Sequence, residues 1–198
     1  MNWLEAGLVR AGLRYSERER EAAFYEFFVA RHLWLMQAFL LGGALLSTFS
    51  IVWYEAIDPA HAPEAQKIKF LVLPFLLGVQ AVLLLPVARR HAELLIILPP
   101  LAALSTDLFF IFPILEGGVV FSSHPTMQTM LFFAVFMRAR YSYHIMVAAV
   151  CVATFVIAHH LSPGHAPRLF EINIHFVAAL ALSILWAAYW HERLYRRQ

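Results

Sequence analysis

Apolar residues in this chain gather into long continuous runs rather than into the short alternating or one-faced patterns of soluble elements. Six runs stand out, at about 32–54, 68–88, 92–115, 124–140, 141–161 and 170–190. Each approaches the ~20 residues a helix needs to cross ~30 Å of hydrocarbon. None alternates as a lipid-facing barrel strand would, so the runs predict helices. The fourth is cut short by Arg138, and Pro74, Pro86, Pro99, Pro100 and Pro113 predict kinks in or beside the second and third. Ahead of the first run, Ser16 and Glu19 have capping-box spacing, and Ala23, Phe24, Phe27 and Phe28 share one helical face. Residues 17–31 are therefore expected to form a helix at the inner membrane interface that continues into the first span. That first span is no cleaved signal peptide, being too long and preceded by some thirty mixed-charge residues. The pattern divides the chain into an interfacial segment (1–31), a membrane domain (32–190) and the start of a cytoplasmic signalling helix (191–198).

Composition sharpens this reading. The chain is 61% hydrophobic and only 14% charged, with a mean hydropathy of +0.66. Soluble domains carry about 25% charged residues, and a small domain has too much surface to hide such an apolar chain. Disorder, a disulfide scaffold and a nucleic-acid-binding domain are excluded by the same comparison. The expected class is an all-α integral membrane protein, a six-transmembrane-helix bundle whose main partner is the lipid bilayer.

Basic residues set the expected orientation. Arg10, Arg14, Arg18, Arg20, Arg31, Arg89, Arg90, Arg138, Arg140, Arg193, Arg196 and Arg197 fall on one side, against Lys67, Lys69 and Arg168 on the other. The positive-inside rule then predicts N-in and C-in. Trp53 and Tyr54 would mark one interface, with Tyr141, Tyr143, Tyr189 and Trp190 at the other.

The candidate chemistry lies in ten histidines. His32, His91, His144 and His191 fall near the cytoplasmic face. His124, His159, His160 and His175 fall near the outer face, with His61 and His165 in outer loops. His144 and His159 are fifteen residues apart, ~22 Å along a helix, and a net rotation of about 60° keeps them on one broad face. Ala148, Val152 and Phe155 run between them. His175 and His191 are sixteen apart and joined by the small-residue ladder Ala179, Ser183, Ala187, though the rotation of about 160° works against their sharing a face. Two histidine layers on facing helices are what two bis-histidine b-type haems need. His159 or His160 with His175 is the outer pair, His124 the reserve, and His144 with His91 or His191 the inner pair. Taken singly, each is more readily explained as a structural histidine than as a ligand. A zinc or copper site from His159, His160, His175 and His165, with Glu171 or His124, is the alternative. Asp107 is the only carboxylate well inside a predicted span. A proton-relay or cation role competes there with an aspartic acid kept neutral and hydrogen-bonded to a neighbouring helix, or paired with a histidine, with Gln128 and Thr129 as candidate partners.

The histidine spacing across the third to sixth spans resembles that of transmembrane dihaem b cytochromes. The whole plan, with short outer loops and the charged exit Trp190-His191-Glu192-Arg193-Leu194-Tyr195-Arg196-Arg197-Gln198, resembles the membrane domain of bacterial class III nucleotidyl (adenylate) cyclases. The resemblance implies a multi-pass domain of the bacterial inner membrane, a homodimer, and a fused cytoplasmic effector whose catalytic aspartates lie outside this chain. The expected function is therefore a sensor or anchor that binds haem b, with transmembrane electron transfer if two haems stack. The competing expectation is a haem-free receptor for a lipid or small ligand, or a dimerisation anchor packed through Gly42-Gly43-Ala44. A transporter ranks last, for want of inverted repeats.

Overall fold

The computed structural model describes residues 9, 11–15, 17–115, 123–136, 139–161 and 167–197. Ser16 of the expected capping box, Arg10, Arg138 and His165 lie outside the described residues. Among the described residues there are six helices of fourteen residues or more: α1 (Arg18–Ile57), α2 (Ala62–Leu83), α3 (Ala92–Thr106), α4 (Ser123–Phe136), α5 (Tyr141–Leu161) and α6 (Pro167–Tyr195). A 3-10 stretch, Pro86–His91, links α2 to α3, and a π-helical turn, Asp107–Ile111, extends α3.

Five of the helices, counting α3 with its π turn, are long and apolar enough to cross a membrane. The fourth apolar run gives only the 14-residue α4, ~21 Å long at 1.5 Å per residue. By contrast α1 is 40 residues long, ~60 Å, about twice the hydrocarbon thickness. The helix expected over 17–31 does continue into the first span, and the two form one rod. Its first helical residue follows Glu17, whose side chain makes no capping bond. Instead the Tyr15 backbone N–H donates to Glu21 Oε2 at 3.1 Å.

The bundle is built inside out relative to a soluble protein. Leu71, Leu182, Trp34, Trp186 and Phe49 are among many large apolar side chains on its exterior, where only hydrocarbon makes them stable. The interior is held by tight aromatic packing, such as Phe39 stacked on Phe132 with ring centroids 4.8 Å apart. Glycine makes that contact fit: a Cβ at Gly42 would come within 3.1 Å of the Phe132 ring. Packing is most extensive between α1 and α2, and α5 rests on α6. Both ends of the described chain meet at one end of the bundle, where the Tyr15 hydroxyl donates to the Arg196 carbonyl at 2.9 Å. This is the terminal end; the α1–α2 turn marks the far end.

Candidate functional sites

The histidines separate into an interior and an exterior set. His144 and His159 are both buried on α5, as one broad helical face requires. His91, His124, His160 and His175 are exposed on the bundle surface. At the far end His159 is stacked on Phe170 at 4.8 Å and tilted against Phe155 at 6.1 Å. His160 donates through Nδ1 to the Val156 carbonyl at 2.8 Å, and His175 bonds its own helix through the Glu171 carbonyl. Phenylalanine therefore packs against the buried ring of the expected outer pair, while His175 faces outward. Among the described residues no group of three or more His, Cys, Asp or Glu side chains could hold a metal ion.

The inner pair is better placed. His144 and His191 line one cavity of about 110 Å³ with Ala134, Ala139, Ile184, Ala187 and Ala188. His144 Nδ1 lies 3.3 Å from the Arg140 carbonyl, which favours Nδ1 as the protonated nitrogen and Nε2 as the acceptor. The helix therefore solves the unfavourable rotation of His191 by presenting it at the edge of α6. His91, the other inner candidate, does not join them on this cavity. The ladder Ala179, Ser183, Ala187 departs more plainly from expectation: all three are exposed, so most of it faces away from the interior.

A second polar site lies within the helices toward the far end. Lys69, only 2% exposed, donates to both carboxylate oxygens of Asp107, at 2.6 and 2.8 Å. The Tyr54 hydroxyl adds a third bond to Oδ1 at 2.9 Å. Asp107 opens the π turn, a local widening that re-aims side chains and recurs at functional sites. Three sequence expectations are corrected here. Lys69, counted with the outer-side charges, is buried in α2 and drops out of the orientation count. Tyr54 is buried rather than an interfacial anchor. Asp107 pairs with a lysine and a tyrosine, not with a histidine, Gln128 or Thr129. Charge balance contained the signal, since Lys69 falls inside the predicted second span and an intramembrane cation needs a partner.

This pair sits at one end of a cavity of about 90 Å³ between α1, α2, α3 and α4. Ser47, Gln128 and Thr129 line the same polar end. Phe39, Leu40, Leu76, Pro99 and Phe132 line the other. From Ser47 to Phe39, and from Asp107 to Pro99, is eight residues, so the cavity extends ~12 Å along the bundle.

The third site joins the two ends of the chain and was not anticipated. Arg196 forks onto Glu21 with bonds of 2.8 and 3.0 Å and reaches Glu192 at 2.8 Å. Glu192 also accepts the backbone N–H of Tyr141. Arg140 donates to Glu93 through its backbone and its guanidinium, both at 2.7 Å, and lies 3.8 Å from Glu21. Burial opposes the charge on Arg196 and Arg140, but their carboxylate partners outweigh it and raise both guanidinium pKa values above the ordinary one. Both stay charged at any physiological pH. The start of α1, the start of α3, the α4–α5 link and the exit of α6 are thereby tied in one network. Arg196 also stacks over Phe24 at 4.2 Å and Tyr15 at 5.1 Å.

No match is found among curated proteins or among solved structures. A family model does match residues 52–198, most of the chain and all of α2 to α6. On that match, together with its several membrane-length helices, the chain belongs to the MASE8 family of membrane-associated sensor domains.

Proposed function

We propose that this sensor domain crosses the bacterial inner membrane six times, as a homodimer, and passes its state to a cytoplasmic effector through the exit of α6. The effector that the plan resembles is a class III nucleotidyl cyclase. One observation carries the reading: Arg196, one residue beyond α6, is held by carboxylates on both α1 and α6. A signal that shifts α6 against α1 must break or remake this fork, so the fork can report the arrangement of the spans. Coupling needs only a difference between two helix arrangements, and a tenfold change in output corresponds to ~1.4 kcal/mol. That is less than a buried, hydrogen-bonded ion pair loses when one partner is removed.

The test joins the domain, after Arg197, to a class III cyclase catalytic domain and measures cyclic-nucleotide formation in membranes. Arg196→Met is expected to shift basal output about tenfold or more. Arg196→Lys, which keeps the charge but loses the planar fork, should fall between. Equal output from all three proteins rejects the proposal.

Haem b is a second reading, favoured by His144 and His191 facing one alanine-walled cavity. The two imidazoles are the residues that would hold the haem iron. At about 110 Å³ the space is well below the ~300–1,000 Å³ of sites that enclose drug-sized ligands. Binding would therefore require α4 and α6 to part. Purified protein should then show a Soret band and sharp α and β bands after dithionite, all lost in His144→Ala. A colourless protein that takes up no added hemin removes this reading and leaves the coupling proposal untouched.

A further inference from the structure

The cavity beside Lys69 and Asp107 has polar groups at one end and aromatic and aliphatic walls at the other, a division the charge pair alone does not require. We infer that it is the sensor's input site, and that it binds an uncharged single-chain amphiphile: a hydrogen-bonding head, such as an alcohol or amide, on one alkyl tail. This rests on the sensor reading above and names the ligand class that reading leaves open.

Shape argues for one chain. About 90 Å³ spread over ~12 Å is a narrow slot, too thin for a ring system and too single for a two-tailed lipid. Like the His144 cavity it is below the ~300–1,000 Å³ of enclosing sites, so its walls must part to seat a tail. Polarity sets the direction of binding. Gln128 and Thr129 on α4 and Ser47 on α1 would meet the head, while Phe39, Leu76 and Phe132 would flank the tail. Gln128 is exposed on the bundle perimeter, so the head end opens sideways and the ligand can enter from the bilayer without crossing a loop.

Charge excludes the obvious competitor. A fatty acid would bring an anion into a site where Lys69 already gives both its short bonds to Asp107. It would have to displace a carboxylate held by three hydrogen bonds, or remain an unpaired buried charge. A neutral head can bond to the amide and hydroxyls while the ion pair stays intact. The slot is also built to respond. Its walls come from four helices, and α3 contributes Pro99 and Pro100, which remove two backbone donors and let that helix bend.

The experiment uses full-length protein in lipid nanodiscs and three diazirine-bearing eight-carbon probes: an alkanol, the matching carboxylate and the matching hydrocarbon. The alkanol should label α1 or α4 near Phe39 or Phe132, at least tenfold more than the carboxylate. Gly43 lines the slot, and a Cβ there would rest 3.8 Å from the Phe132 ring. Gly43→Leu therefore fills the slot and should cut alkanol labelling about tenfold. The rim substitution Gln128→Leu leaves the packed interior alone and should weaken labelling by the alkanol but not by the hydrocarbon. Labelling that appears only after a delipidating wash would show the slot already filled by a resident single-chain amphiphile; labelling without the wash would show it open to one that arrives from outside. Equal labelling of Gln128→Leu and wild type by the alkanol, stronger labelling by the carboxylate, or cross-links confined to the outer perimeter would each overturn the inference. Labelling does not depend on effector output, so its failure is distinguishable from failure of the Arg196 coupling.

Discussion

At the scale of single residues, the strongest constraint is the buried pair of Lys69 and Asp107. Breaking such a pair by removing one partner leaves an uncompensated charge in a medium that cannot solvate it, a loss of about 3–5 kcal/mol. Removing both members together is often close to neutral. Lys69→Met should therefore destabilise the detergent-solubilised protein by that amount in thermal unfolding, while Lys69→Met with Asp107→Leu should recover most of it. Tyr54→Phe, which loses one of three bonds, should cost about 1 kcal/mol. A double variant as unstable as the single one would show that the charge pair itself is needed. Asp107 was legible in the sequence as an intramembrane carboxylate needing a partner. Its partner was not, because positive-inside counting treats every lysine near a span end as solvated, and Lys69 sits less than two turns inside α2. The histidines show the reverse failure. Their number and spacing were legible, but whether a ring faces inward depends on helix rotation. The rotation puts His144 and His159 inside while leaving His160 and His175 out.

At the scale of elements, hydrophobic runs located the helices well because lipid leaves the backbone no alternative to internal hydrogen bonds. The run length of α4 was legible too, since Arg138 already marked the fourth span as short. What runs of apolar residues cannot show is which face of a helix meets its neighbours. In α6 the small residues Ala179 and Ser183, which suggested an interior packing seam, lie outside, while Ala187 borders the His144 cavity. Ser183 bonds back to the Ala179 carbonyl at 2.8 Å, so its hydroxyl is satisfied without a neighbour and the ridge stays smooth. An exposed small-residue ridge lets a second helix approach closely, which supports the homodimer proposed above. Ser183→Cys is the direct probe, and the native Cys151 is buried and should contribute little background. Mild oxidation of membranes should convert most of this variant to a disulfide-linked dimer. Ala179→Leu in the same background should abolish that product. A Ser183→Cys protein that remains monomeric under oxidation would place any dimer contact elsewhere.

At the scale of the whole molecule, the proposed direction of signalling runs between two sites: the fork of Arg196 gathers α1 and α6 at one end while the Lys69 cavity lies toward the other. The two sites are joined by α1, a single rod that lines the cavity at Phe39, Leu40, Gly43 and Ser47 and reaches the fork at Glu21. A ligand that changes how α1 packs at one level can alter its contacts at the other only if the rod moves as a body, which an unbroken helix favours. The sequence already ran the segment before residue 32 into the first span; what it could not show was that this segment meets Arg196 through Glu21. The direction itself follows from the remaining charges. With Lys69 withdrawn from the count, the far end keeps only Lys67 and Arg168 against the arginines gathered at the terminal end, so the positive-inside argument for N-in and C-in is strengthened. The test places single cysteines where the structure exposes the backbone at each end. Ala60→Cys in the α1–α2 turn should react with an impermeant thiol reagent on intact spheroplasts. Arg197→Cys, just past the fork, should react only after lysis. Ala62 would be a poor choice, since it is fully buried and would stay silent in either orientation. Labelling of Arg197→Cys on intact spheroplasts would put the fork on the outer side, remove the cytoplasmic effector from its reach, and overturn the proposed direction of signalling.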